Sequence, residues 1–106
     1  MKILFDQGTP VPLRKVLVGH EVETAYERGW SSLRNGDLIA AAEGAGFAAF
    51  VTTDRSLKYQ QNLTVRKLSV IVLLTTSWPR IQNSVAIVQA ALDSAIPGGY
   101  LEVPIE

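Results

Sequence analysis

The sequence contains no cysteine and only one histidine among its 106 residues. Disulfide frameworks, thiolate zinc sites and thiol nucleophiles are thereby excluded, and His20 alone cannot build a multi-histidine metal centre. Only oxygen-ligand metal chemistry remains. An excess of charge of either sign is also missing, since ten Lys plus Arg balance ten Asp plus Glu. Bulk electrostatic attraction to nucleic acid is therefore not expected, and any such contact has to be local. No apolar run approaches membrane-spanning length, and the apolar stretch in the opening MKILFDQGTP is too short for a signal peptide. A cytoplasmic chain without membrane attachment is expected.

What is present is a core-forming composition, 47% apolar and 19% charged, at a length that suits one domain over residues 1–106. Lys2 to Phe5 is a short apolar run that reads as a buried strand, ended by Asp6 and the Thr-Pro-Val-Pro stretch behind it. Thr9 is placed to cap a helix that tolerates Pro10 and Pro12 in its first turn, with Leu13, Val16 and Leu17 on one face and Gly19 at its end. His20 to Thr24 alternates as a second strand, and Tyr26 to Arg34 reads as a loop.

Asn35 opens a helix in which Leu38, Ile39, Ala42 and Ala45 recur at helical spacing before Gly46. Ala48 to Thr53 is a third strand, Lys58 to Lys67 a polar loop with a helical turn, and Ser69 to Thr75 the most apolar run, suited to a strand covered on both faces. Trp78-Pro79 starts the longest predicted helix, with Ile81, Val85, Val88, Leu92 and Ile96 as one stripe. Tyr100 to Ile105 forms a last strand that Pro104 places at an edge. Strands and helices alternating in this way predict an α/β sandwich with a largely parallel sheet and right-handed crossovers.

In such sheets sites form beyond the carboxyl ends of the strands, where strand order reverses. Asp6 follows the first strand, Asp54 follows the third, and Asp37 lies in the first turn of the helix that leads into the third. If the first and third strands are neighbours, the three carboxylates converge on one edge of the sheet. Two carboxylates about 5 Å apart repel by roughly 3 kcal/mol at an effective dielectric near 20, a large share of a net stability of about 5–15 kcal/mol. A hard cation, Mg²⁺ or Mn²⁺, offsets that repulsion and can polarise a water towards a phosphodiester. Arg55 and Lys58 follow Asp54 closely enough to touch a phosphate backbone. His20 lacks a partner at useful spacing and reads as a structural or surface residue, and Trp30 and Trp78 read as packing residues.

The strand ILFDQ with its terminal aspartate, the segment NGDLIAAAEGAGFAAFVTTD and above all its GFAAFVTTD portion resemble the PIN-like domain family. The likeness is to its short bacterial members related to VapC-type toxins and runs from Lys2 to about Thr75. The resemblance implies a three-layer α/β/α sandwich around a mostly parallel sheet and a metal-dependent ribonuclease site in which Asp6, Asp37 and Asp54 match the family's aspartates. It also implies a further acidic residue on an intervening helix, for which Glu23 and Glu27 are the nearby candidates. Two functions follow as expectations. One is a Mg²⁺-dependent endoribonuclease of the toxin-antitoxin type acting on RNA. The other is a weakly active or inactive interaction module that works with a small antitoxin-like partner. The sparsely charged stretch from Pro79 to Ile96, carrying only Arg80 and Asp93, together with the last strand, suggests a homodimer or a partner-bound complex.

Overall fold

A chain that leaves a strand through a helical crossover re-enters the sheet in the same direction, so the alternation in this sequence calls for parallel strands. The computed structural model, described here for residues 1–56 and 67–105, has that organisation. Five strands, β1 (Lys2–Phe5), β2 (Glu21–Thr24), β3 (Ala49–Thr52), β4 (Ser69–Leu73) and β5 (Tyr100–Val103), form one sheet in the order β2-β1-β3-β4-β5. Every pairing is parallel. Among the described residues the connections carry a 3-10 helix (Val11–Lys15) and three α-helices: α1 (Asn35–Gly44), α2 (Trp78–Gln82) and α3 (Val85–Asp93). The polar segment expected as a loop after Ser56 lies largely outside the described residues.

Parallel sheets are stable when both faces are covered, and strand alternation divides this core in two. Ile3, Phe5, Val51, Ile71 and Leu73 point to one face and pack against Leu13 of the 3-10 helix, Ile81 of α2 and Val88 and Leu92 of α3. Leu4, Phe50, Val70 and Val72 point to the other, against Leu38, Ile39 and Ala42 of α1 and the flanking Phe47 and Leu68. The result is an α/β sandwich with helices on both faces. All five residues of β4 are buried, as its continuous apolar run predicts, and β5 takes the expected edge position.

Two helices differ from expectation. The first is only a 3-10 helix, and Thr9 does not cap it: Pro10 occupies the N-cap position and no side chain caps the turn. The Thr9 hydroxyl is engaged by Asp6 and the Val51 carbonyl instead, and the turn closes with three-residue bonds, from the Leu13 amide to the Pro10 carbonyl (3.2 Å) and from the Val16 amide to the Leu13 carbonyl (3.2 Å). The long C-terminal helix is broken at Asn83 and Ser84, where the Ser84 amide closes a tight turn on the Ile81 carbonyl (2.9 Å) and the Ser84 carbonyl starts α3 by accepting from Val88 (3.2 Å). Both residues are weak helix formers whose side chains compete with the backbone for hydrogen bonds. Because α3 ends at Asp93, Ile96 leaves the predicted stripe and is 66% exposed, while Ile81, Val88 and Leu92 remain buried. No helix among the described residues is long and apolar enough to cross a membrane.

At the amino-terminal end of the sheet His20 acquires the structural role expected of it. Its Nε2 is 2.8 Å from Asp93 Oδ1, and its Nδ1 is 3.2 Å from the terminal amine of Met1. The Asp93 carboxyl is held below the ordinary carboxylate range, chiefly by this imidazole and then by Gln89. Gln89 also clamps the segment before β2: its Oε1 accepts from the Val18 amide (2.8 Å) and its Nε2 donates to the Val18 carbonyl (2.9 Å). Replacing Gln89 with Ala is expected to accelerate hydrogen exchange at the Val18 amide and to lower stability by about 1 kcal/mol, the net worth of exposed hydrogen bonds of this kind. Amide exchange combined with urea unfolding checks both.

Candidate functional site

The strand order β2-β1-β3 means that the chain leaves β1 in one direction and later returns past it in the other, so the crevice of the sheet opens at the carboxyl ends of β1 and β3. Asp6 stands directly beyond β1, and Asp54 stands two residues beyond β3. Phe5 is paired with Val51, so the next register step brings Asp6 beside Thr52, and alternation sends both side chains to the α1 face. There the buried Thr52 hydroxyl donates to Asp6 Oδ2 while accepting from the Asp54 amide (3.1 Å). One hydroxyl thus couples the two acidic positions. The buried Thr9 hydroxyl lies 2.7 Å from Asp6 Oδ1 and 3.0 Å from the Val51 carbonyl, so both carboxylate oxygens of Asp6 are met by hydroxyl groups. Gly8 permits this closure: a Cβ at that position would lie 2.7 Å from Thr53 Oγ1.

Asp54 is held by a different set of donors. Its Oδ1 accepts from the Ser56 amide (2.9 Å) and hydroxyl (2.7 Å), and its Oδ2 accepts from Asn35 Nδ2 (2.8 Å) at the start of α1. The Ser56 hydroxyl is the main cause of an Asp54 carboxyl held below the ordinary range, with the Ser56 amide and Asn35 acting in the same direction against the effect of burial. Asp6 lines two openings. The larger, about 490 Å³, is bounded by Thr9, Val11, Arg14, Tyr26 and Glu27. The smaller, about 140 Å³, runs from Asp6 past Trp30 to Asn35 and Leu38.

Asp37, the third aspartate expected in the cluster, does not join it. It is exposed on α1, and among the described residues no three acidic or histidine side chains gather closely enough to hold a metal ion. The reason is helical phase. Asn35 is the residue of α1 that meets Asp54, and a residue two positions further on is turned by about 200° around the helix axis. An amide therefore occupies the place where a carboxylate was expected.

The remaining candidates separate in the same way. Arg55 donates to the Leu74 carbonyl (3.0 Å) and so ties the exit of β3 to that of β4, while Lys58 lies outside the described residues. Glu23 is gripped by Arg28 through Nε (3.1 Å) and Nη2 (3.0 Å), with Lys2 at 3.8 Å. The Arg28 guanidinium lies over the Trp30 and Phe47 rings, and Trp30 packs edge-on against Phe47 as a packing residue should. Trp78 likewise packs against the core on the other face. Glu27, by contrast, shares the larger cleft with Asp6. Its Oε1 accepts from Arg14 (2.6 Å) and from the Thr24 amide (3.0 Å), and its own amide donates to Thr24 Oγ1 (3.1 Å). These reciprocal bonds make a capping box, and Arg14 is the main cause of a Glu27 carboxyl held below the ordinary range.

Sequence reasoning missed Thr9, Thr52, Asn35 and Ser56 as the residues that orient the two aspartates. The Thr-Thr-Asp ending of β3 carried a signal for one of them, because alternation places Thr52 and Asp54 on the same side of an extended segment. Compared with protein-family models, with curated proteins and with solved structures, the chain matches none.

Replacing Thr52 with Val keeps the shape of the side chain but strips a half-buried carboxylate oxygen of its donor, and is expected to cost about 1–3 kcal/mol in chemical unfolding, the range for a hydrogen bond to a charged group. A depressed carboxyl contributes stability above its unfolded-chain value and loses it as pH falls through the folded value. Ser56→Ala removes the principal cause of the Asp54 depression, so the Asp54 titration followed by carboxyl NMR should move upward, and the stability lost between neutral and acid pH should shrink, because the folded value then lies closer to the unfolded one.

Proposed function

We propose that the chain is a divalent-cation-dependent endoribonuclease with a PIN-like fold, acting in the cytoplasm on RNA through Asp6 and Asp54. The observation that carries this reading is the position of Asp6: a carboxylate oriented by two hydroxyls, at the switch point of a parallel sheet and open to two clefts. The donor chemistry suits Mg²⁺ or Mn²⁺, which are commonly held by one or two carboxylates with waters and substrate phosphates completing the shell. Asp6 and Asp54 would hold the ion, which when bound supplies positive charge for a phosphodiester and its developing negative charge. The chain's own residues fix the ligands: Thr9 and Thr52 orient Asp6, while Asn35 and Ser56 orient Asp54 and keep it ionised. Arg55, anchored on Leu74, has further N–H donors for a phosphate backbone, and Lys58 is proposed to act beside it.

One observation favours the second reading, an interaction module paired with a small antitoxin-like protein: among the described residues no three acidic or histidine side chains gather closely enough to hold an ion. A single experiment separates the readings. With a fluorogenic single-stranded RNA and Mg²⁺ or Mn²⁺, the nuclease reading expects cleavage that Asp6→Asn lowers by at least about 100-fold, a loss in the range for removing a transition-state electrostatic contact. Intact RNA with both ions, or cleavage undiminished in Asp6→Asn, leaves the interaction module.

A further inference from the structure

The larger cleft contains a side chain that neither the core nor the acidic site uses. Tyr26 is 78% exposed, belongs to neither hydrophobic cluster and forms part of the cleft wall, with the half-exposed Val11 also in the lining. A large aromatic ring left in water at a cleft wall is a ready platform for another flat ring. Its backbone is firmly held. The Thr24–Glu27 capping box fixes the turn, Gly29 closes it on the Tyr26 carbonyl (3.0 Å) at φ +75°, and Trp30 donates to the carbonyl of buried Ala25 (2.9 Å). The fixed turn sets the root of the ring in the cleft wall, so its backbone needs no ordering when a ligand lands there.

We infer that this cleft is a base-stacking subsite for single-stranded RNA, with one nucleobase lying on Tyr26 and the adjoining phosphate between Arg14 and Asp6. The placement of the phosphate rests on the nuclease reading of Asp6, whereas the stacking does not. The volume of about 490 Å³ is within the range of small-ligand pockets and suits one nucleotide. Arg14 is set for a phosphate. Glu27 engages Nη1 at 2.6 Å and holds the side chain in place, while a guanidinium has five N–H donors in a rigid fork. A chain with no net charge cannot rely on bulk attraction to RNA, and stacking on one aromatic with one fixed arginine provides affinity without it.

The test measures binding apart from cleavage. In the Asp6→Asn background a fluorescent hexa-adenylate is titrated by anisotropy, without divalent cation. Adding Tyr26→Ala is expected to weaken binding about tenfold, whereas Tyr26→Phe keeps it, because the stacking face matters and the hydroxyl does not. An abasic probe of the same length should bind Asp6→Asn as weakly as hexa-adenylate binds the Tyr26→Ala double variant. Arg14→Gln should flatten the salt dependence. Equal binding by the Tyr26→Ala and parent proteins, equal binding of abasic and base-bearing probes, or no binding to the parent overturns the subsite. Tyr26-dependent binding by a wild type that cleaves nothing in Mg²⁺ or Mn²⁺ keeps the subsite and removes the nuclease reading.

Discussion

The parallel pairing of β1 with β3 is the contact on which both the fold and the candidate site depend. It sits near the middle of the sheet, joins segments more than forty residues apart in the chain, and sets Phe5 against Val51. Because side chains alternate, that register simultaneously turns Phe5 and Val51 into one half of the core and brings Asp6 to Thr52 on the other face. A slip of one residue would exchange the two faces, setting side chains fitted to α1 against the 3-10 helix, α2 and α3, and parting Asp6 from Thr52. Core packing therefore enforces the geometry of the polar network, and the network adds only fine orientation at the strand ends.

Five of the ten acidic residues fall into two groups by the partners they have. Glu23, Glu27 and Asp93 are each paired with a cationic or protonatable side chain: Arg28 with Lys2, Arg14, and His20. Asp6 and Asp54 are instead surrounded by hydroxyls and amides that satisfy their oxygens without cancelling their charge. Neutral donors hold a carboxylate in place while leaving its field directed outward. That contrast separates Asp6 and Asp54, each met by two or more neutral side-chain or backbone donors, from Glu23, Glu27 and Asp93.

Much of this was legible in the sequence because the relevant signals are strong and local. Short apolar runs ended by Asp or Pro gave the strands, and the position of an aspartate beyond a strand does not depend on small errors in its boundaries. Asp37 was not legible for the opposite reason. On a helix a shift of two residues reverses the direction of a side chain, so composition near the start of α1 could not tell whether Asn35 or Asp37 meets Asp54. Thr9 was open to two roles, helix cap or partner of Asp6, and the choice turned on a carbonyl of β3 that is distant in sequence. Glu23 and Glu27 were equivalent on the page until Arg28 claimed one and the Thr24 turn claimed the other. The break at Asn83 and Ser84 illustrates a further limit, since a stripe continuous in spacing need not be continuous in backbone.

The two ends of the sheet carry different burdens. At the amino-terminal end Gln89, His20 and Asp93 fasten α3 to the segment before β2, an arrangement that serves packing. At the carboxyl end Thr9, Thr52, Asn35 and Ser56 spend their hydrogen bonds on two aspartates, and Gly8 keeps the loop close enough for them to do so. Buried hydroxyls directed at a carboxylate are poor stabilisers compared with apolar groups of the same shape when both partners are replaced together. A paired change of Asp6 to Asn and Thr52 to Val should therefore be less destabilising than the sum of the two single changes, because each single change leaves the other group with an altered or missing partner. That coupling would mark the network as one unit whose geometry serves the cleft in front of it rather than the core behind it.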